Sequence, residues 1–354
     1  MARLDVARRR MLTQRVMGPR FEAPLDAVRW LGAVQAQDYL GALWAIGLRT
    51  RGATEAAVER AIADRLIVRT WPMRGTLHFV AAADARWMLA LLTPKVIRAS
   101  AARLRQLDLD EAVFARSRDL LARALEGGRR LSRDAIYALL RDAGISPAGQ
   151  RGIHILWRLA QERLVCFASR EGKQHTFALL EEWLPPARAL ERDEALAELA
   201  TRYFTGHGPS TLEDFGWWSG LPAALAREAL ELAKPRLARE VVGDRVLWAS
   251  GAERALGSTR SEAYLLPAFD ELLVGYRDRS ASLDPAYARR VGNLLSPTLV
   301  HEGQVVGTWT RSFRKDTVEV RTTFFERAAP SRARAVAEAA AGYGAFVGRR
   351  VVLP

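Results

Sequence analysis

Residues 131–180 read LSRDAIYALLRDAGISPAGQRGIHILWRLAQERLVCFASREGKQHTFALL, and the hydrophobic period changes along the stretch. The first part carries Ile136, Leu139 and Leu140 at helical spacing and stops near Gly144. In the second, Ile153, Leu156, Trp157 and Ala160 fall on one helical face, and Arg151, His154, Arg158 and Gln161 on the other. LVCFAS and HTFALL then alternate as strands around a Gly-containing turn, REGKQ. Helix, turn, helix and hairpin are the elements of a winged helix. Its second helix would turn Arg151, His154 and Arg158 outward, as a recognition surface or as an ordinary solvated face.

The same grammar occurs twice more. Near the N-terminus APLDAVRWLGAV reads as a helix with Leu25, Val28 and Leu31 inward, and TEAAVERAIADR as another. LIVRTWPMRGTLHFV predicts a hairpin turning around Pro72, with Arg74, Thr76 and His78 on one face and Leu77 and Phe79 on the other. A helical insert follows over about residues 84–125. Further on, the helix through LAELATRYF is broken by TGHGP, and Ser210 with Glu213 forms an S-x-x-E capping box for the next helix. LPAALAREALELA starts with Pro222 near its first turn, and REVVGDRVLWA closes the unit as a hairpin around Gly243 and Asp244. Short strands in AYLLPAF, LSPTLVHEGQVVGTWTR and TVEVRTTFF then alternate with turns before an Ala-rich helix from about Ser331, which predicts a small antiparallel barrel or sheet. The expected class is α+β: a first winged helix with its insert (1–125), a second (126–186), a third (187–252), and a barrel-like domain with a C-terminal helix (253–354).

The 354 residues include 53 basic and 40 acidic side chains, a net charge of +13 that favours polyanionic partners, nucleic acid first. Hydrophobic content of 49% fits a soluble globular protein, and no apolar run reaches the ~18 residues of a membrane span. The opening MARLDVARRR is basic without a signal-peptide apolar core and is expected to begin a helix. A single cysteine, Cys166, excludes a disulfide framework and points to a reducing, cytoplasmic setting.

Several chemistries lack their motifs. There is no phosphate-binding Gly loop, no dinucleotide fingerprint and no Cys/His metal spacing. His78, His154, His175, His207 and His301 are scattered, as structural histidines usually are. Asp270 and Glu271 are adjacent in FDELL, but neighbours on a strand point to opposite faces, a poor metal clamp. The unusual feature is AVQAQDYLGALWAIG, residues 33–47, where Gln35 and Gln37 interrupt an apolar run. An unpartnered buried amide costs about 1–3 kcal/mol, so two of them need a reason. On a helix, positions i and i+2 diverge by about 200° and cannot serve one site; in an extended segment they point to the same side. The pair can cooperate only if the preceding helix stops near Gly32. Otherwise they cap neighbouring backbone or join structural units. In an extended chain Asp38 faces away from both.

QAQ before LWAIGLR, then RTWPMRGTLHFV, YFTGHGPSTLEDFGWWSGL, LLPAFDELLVGYRDRS and GTWTR, in this order, resemble the winged-helix DNA glycosylases of the AlkZ and YcaQ type. The resemblance runs from about residue 5 to the C-terminus. It implies tandem winged helices and a C-terminal β-barrel forming a concave, C-shaped, DNA-binding body. It also implies excision of alkylated purines and unhooking of interstrand crosslinks, with no metal or cofactor. The family's catalytic motif, Gln, an apolar residue, then Gln or Asp, falls on Gln35, Ala36 and Gln37, which is similar to the AlkZ branch. The chemistry is coherent. A neutral amide is no general base, but it can orient water and hydrogen-bond a sugar, which suffices when a cationic N7- or N3-alkylpurine leaves as a neutral base. DNA contacts would come chiefly through phosphates, from Arg69 and Arg74 beside the first wing and Arg277 and Arg279 in YRDRS, together with Arg151, His154 and Arg158. Trp217 and Trp218 suit core packing better than base stacking. A monomer on damaged double-stranded DNA, nucleoid-associated in a bacterial cytoplasm, is the expected working form. A non-catalytic winged-helix regulator, and a nuclease using Asp270, Glu271 and Asp278, are the alternative readings.

Overall fold

The computed structural model describes residues 2–251, 262–292 and 296–354. The expected domain boundary at 252/253, and Leu295 at the head of one expected strand, lie outside the described residues. The chain divides into a continuous unit, Glu59–Ala195, and a discontinuous one, Met1–Val58 with Leu196–Pro354. Helices and strands are mixed in both.

The discontinuous unit begins with α1 (Ala2–Thr13), α2 (Pro24–Leu31), a two-residue strand β1 (Val34–Gln35) and α3 (Tyr39–Leu48). In α2, Pro24 occupies the first turn, where its missing N–H costs nothing, and Ala27, Val28 and Leu31 are buried. Leu25, expected inward, is only half-buried. Every residue of α3 from Gly41 to Leu48 is buried. Gly47 is obligatory there, because a Cβ would lie 2.2 Å from the Phe346 ring.

After α4 (Glu55–Ala63) the continuous unit adds β2 (Ile67–Met73), β3 (Thr76–Ala81), α5 (Ala85–Ala99), α6 (Ala101–Gln106) and α7 (Glu111–Leu125). It continues with β4 (Leu131–Ser132), α8 (Arg133–Asp142), α9 (Arg151–Gln161), β5 (Val165–Phe167), β6 (Thr176–Leu179) and α10 (Leu180–Trp183). Its strands run β3-β2-β5-β6-β4, with each neighbouring pair antiparallel. Phe114, Leu121, Ile136, Leu140, Ile155, Leu159 and Phe177 join in its core.

Two expectations are corrected in this unit. The β2–β3 turn is at Arg74 (φ 53°) and Gly75 (φ 71°), not around Pro72, so Arg74 is a turn residue and does not share a strand face with Thr76 and His78. Pro72, with no N–H to give, sits inside β2 where the pairing register shifts between Thr70 and Met73. On α9, Ile153 is exposed whereas Gly152, Ile155, Leu156, Leu159, Ala160 and Gln161 are buried. This helix packs against α5, α7 and β2, so its covered surface is wider than a single apolar stripe.

The chain returns to the discontinuous unit through α11 (Arg192–His207), followed by α12 (Leu212–Ser219), α13 (Ala223–Ala233), β7 (Ala238–Val242), β8 (Arg245–Ala249), β9 (Ala263–Leu266), α14 (Glu271–Val274) and α15 (Ala288–Val291). Last come β10 (Thr298–His301), β11 (Gln304–Phe313), β12 (Thr317–Phe324), α16 (Pro330–Val347) and β13 (Arg350–Val352). α11 continues through Thr205–His207, three residues farther than TGHGP suggests, until Pro209 withdraws its N–H. α12 is capped by Thr211, with Asp214 closing the box, one residue later than Ser210 and Glu213. Ser210 cannot cap because its N–H and C=O are paired with the backbone of Trp248. β7 and β8 form a two-stranded ribbon. The C-terminal sheet has the order β13-β12-β11-β10-β9, antiparallel except for β13 beside β12, and α16 packs against both β9 and β13. Among the described residues no helix is long and apolar enough to cross a membrane.

Candidate active site

The segment between α2 and α3 leaves the helical path before the two glutamines, but it is extended only at Val34–Gln35, and Gln37 lies in a bend. Helix α2 ends at Leu31, and Gly32 turns the chain with φ 76°, a conformation open to glycine. Its α-carbon faces the Trp218 ring, whose Cη2 would be 3.4 Å from an added Cβ. Val34 and Gln35 are extended; Val34, Gln35 and Ala36 are buried, Gln35 the least so at 9% exposure, and Gln37 is exposed. Asp38 is turned to other work. It caps α3 by accepting the Gly41 N–H at 3.1 Å and pairs with Arg311 at 3.0 Å.

Beneath this segment lies the FDELL sequence. Phe269 adopts φ 60°, a left-handed conformation that costs a non-glycine residue about 1–2 kcal/mol. After that turn Asp270 and Glu271 separate. Asp270 caps α14 through the Leu272 N–H and receives two hydrogen bonds from Arg49, at 2.8 and 2.9 Å. Glu271, 1% exposed, accepts at Oε2 from His207 Nε2–H and Trp218 Nε1–H, both at 3.0 Å, and at Oε1 from the Gln35 backbone N–H at 3.3 Å. Its carbonyl accepts from Gln14 Nε2–H at 3.1 Å, and the same amide group donates to the Tyr276 hydroxyl at 3.0 Å. The ring of His207 is stacked on Tyr203 at 4.8 Å, and the Tyr276 hydroxyl donates to the His207 carbonyl at 2.8 Å. Burial pushes the phenols of Tyr203 and Tyr276 well above their usual range, keeping both protonated as donors. A Cβ at Gly275 would lie 2.8 Å from His207 Cδ2, so glycine is needed for this close packing.

A family model described as DNA glycosylase AlkZ-like matches residues 28–346. The chain belongs to the AlkZ-like DNA glycosylase family. By that membership it is an enzyme, a hydrolase of N-glycosyl bonds. An interstrand DNA cross-link repair glycosylase of Streptomyces sahachiroi is 28% identical over 316 residues, covering 80% of this chain and 81% of that protein. The solved structure of Streptomyces sahachiroi DNA glycosylase AlkZ matches with a TM-score of 0.77 over 99% of each chain, at 23% identity, which establishes a common fold.

The three carboxylates of the nuclease alternative are all engaged. Asp270 and Glu271 are occupied as described, and Asp278 pairs with Arg245 at 2.7 Å. Among the described residues no group of three or more His, Cys, Asp or Glu is arranged to hold a metal ion. The cation candidates differ in their surroundings. In the discontinuous unit Arg277 is exposed, whereas Arg279 donates to the Leu273 carbonyl at 2.9 Å and lies over the Trp217 ring at 5.3 Å. The two tryptophans, both read as core residues, part company: Trp218 is fully buried, but Trp217 is 46% exposed, tethered by an N–H bond to the Val274 carbonyl at 3.1 Å. A surface cavity of about 870 Å³ between α12, α13 and the β7–β8 ribbon includes Arg277 and Asp278 and neither glutamine.

In the continuous unit Arg74 is half-buried at the hairpin turn. His78 donates Nδ1–H to the Thr76 carbonyl at 2.9 Å, which leaves Nε2 to accept from Arg74 at 3.1 Å. Burial and the neighbouring Arg74 charge push the His78 pKa well below its usual value, so it stays neutral for that task. Arg69 is buried against the Phe167 ring and 3.4 Å from His175. Arg151 binds the Ser146 and Asp108 carbonyls, and Arg158 pairs with Glu111 and Glu162. His154 is half-buried and donates Nδ1–H to the Gln150 carbonyl at 2.8 Å. The roles of Arg49, His207 and Trp218 as supports of the site were not readable in advance. Their partners lie 53 to 221 positions away in sequence, beyond any local pattern.

Proposed function

We propose that this glycosylase hydrolyses the N-glycosidic bond of cationic N7- or N3-alkylated purines in double-stranded DNA, including purines joined in interstrand crosslinks, with Gln35 and Gln37 as its catalytic pair. The observation that supports the reading is that the chain leaves the helix at Gly32 and is extended at Val34–Gln35 on a fixed bed, with Gln37 exposed two residues on. The name of the 28% identical relative supports the crosslink substrate. Gln35 and Gln37 hold water beside the anomeric carbon and donate to the sugar or its phosphate as positive charge develops. Alkylation has already made the base a good leaving group, so the step needs no strong acid, metal or cofactor. Neutral, undamaged bases are turned over poorly for the same reason.

The fold is used as three winged-helix units and a small C-terminal barrel, over the boundaries expected from the sequence, on a monomer that wraps one lesion. Arg277 and His154 are exposed or half-buried and make phosphate contacts, joined by Arg74 at the hairpin turn and by Arg279 beside Trp217. Arg69, Arg151 and Arg158 shape the same surfaces while holding internal partners.

The test is incubation with duplex DNA carrying N7-methylguanine or a nitrogen-mustard crosslink, in EDTA, followed by alkali cleavage at abasic sites. Wild-type protein should release the base. Gln35→Ala and Gln37→Ala should each lose about 100-fold or more in single-turnover rate, as for a lost transition-state donor, with DNA affinity unchanged. Failure to excise any cationic lesion would leave a DNA-binding protein without this activity.

A further inference from the structure

The glutamines need more than their own side chains, because β1 is two residues long and a short strand does not fix its own orientation. One buried group reaches the backbone of that strand from another part of the chain. Glu271 is enclosed, and its two oxygens are used differently. Oε2 takes two ring N–H donors, from His207 and Trp218, which immobilise the carboxylate. Oε1 is left for the main-chain N–H of Gln35. We infer that Glu271 is a positioning residue for the glycosylase reaction: it pins the Gln35 amide so that Gln35 and Gln37 present their side chains together. This rests on the reading of the two glutamines as catalytic.

The chemistry of the acceptor set makes glutamate specific. A glutamine at 271 would be isosteric but would carry one NH2 in place of an oxygen. Turned toward Trp218, that NH2 would meet an indole that can only donate; turned toward Gln35, it would meet a backbone N–H. His207 can change tautomer to accommodate an amide donor, but Trp218 and the Gln35 main chain cannot. Glu271→Gln therefore breaks either the fastening of the side chain or the fastening of the strand. Either displacement moves Gln35, and a shift of about 1 Å in a reacting group costs about 100-fold in rate.

The experiment uses the full chain and an N7-methylguanine duplex. Single-turnover excision, DNA affinity and thermal midpoint are measured for wild type, E271Q, Gln35→Ala, Gln37→Ala and Trp309→Phe. The last is a stability control, since Trp309 is buried in the C-terminal sheet and its indole donates to the Leu266 carbonyl, away from Glu271. E271Q should slow excision about 100-fold with DNA affinity unchanged, whereas Trp309→Phe should keep the wild-type rate below its own melting point. In 15N-glutamine-labelled protein the Gln35 amide proton should resonate downfield in wild type and move in E271Q. That measurement on wild type stands even if E271Q fails to fold. The inference is overturned if E271Q excises at the wild-type rate, if Trp309→Phe loses as much rate at matched stability, or if the Gln35 amide shows no carboxylate-bonded shift. If Gln35→Ala and Gln37→Ala are both fully active, the glutamine reading fails first and takes the positioning role with it. If they are inactive while E271Q is normal, only the positioning role fails.

Discussion

Replacing Asp270 by Asn tests what holds the bed of the candidate active site. Arg49 is fully buried, and each of its five guanidinium N–H groups has an acceptor. Nε donates to the Gln14 carbonyl, Nη1 to the Ala45 carbonyl and Asp270 Oδ2, and Nη2 to Gln14 Oε1 and Asp270 Oδ1, all between 2.8 and 3.0 Å. Asparagine preserves the shape, but its NH2 must face a guanidinium N–H, and the cation loses its counter-charge where no water can replace it. Removing one partner of a buried ion pair costs about 3–5 kcal/mol, and disturbing the cap that Asp270 makes on Leu272 adds up to about 1 kcal/mol. With a urea m-value of about 2–3 kcal/mol/M, the midpoint of the transition that includes this unit should fall by about 1–3 M. The loss should be nearly the same at low and high salt, because an enclosed pair is poorly screened. Arg51→Ala is the internal comparison. Its partner Glu22 and Arg51 itself are about 70% exposed, and the midpoint should not move. The assay is urea unfolding followed by tryptophan fluorescence. A shift for Asp270→Asn smaller than about 0.3 M, converted with the same m-value, would refute the argument that the charge pair is essential there.

Two further outcomes are expected. Gly32→Ala places a Cβ on a φ of 76° and 3.4 Å from Trp218 Cη2; it should lower unfolding free energy by about 1–2 kcal/mol and slow excision, and a neutral result in both assays would show that the turn tolerates a side chain. His175 has its pKa lowered to about 4 by partial burial, then by Arg69, Arg170 and Arg133. Because the unfolded value is about 6.5, the unfolded state takes up the proton first, so this group's contribution to stability is lost as pH falls from about 6.5 to about 4 and changes no further below. A proton NMR titration of Arg69→Met should find the His175 value raised; an unchanged value would show that Arg69 plays no part and leave burial with Arg170 and Arg133.

The helix stop at Gly32 was legible because a glycine stop is a local signal, and the extension it allows reaches Gln35 before the chain bends at Gln37. The hairpins were legible too, but their details depended on neighbours. Pro72 is a turn residue by habit, and only the pairing shift within β2 allowed it inside a strand. Ser210 has the right chemistry for a cap, and its engagement with Trp248 moved that duty to Thr211. Two contact surfaces on α9 hid Gln161 and left Ile153 outside, which one apolar stripe could not express. Adjacent Asp270 and Glu271 suggested a strand with opposed carboxylates. The strained turn at Phe269 achieves the separation differently, and the partners that give each carboxylate its purpose are set by long-range contacts.

Those long-range contacts also order events in time. The hydrogen bonds that seat the candidate segment join residues 236, 221 and 262 positions apart, from Gln35 to Glu271, Arg49 to Asp270 and Gln14 to Tyr276. A chain leaving the ribosome has residues 59–195 complete and able to collapse on themselves long before residue 271 is made. Until then α3, apolar on all sides, has no permanent cover. Seating of the Val34–Gln35 strand is thus a late closure of a long loop, made only after residue 271 has been synthesised.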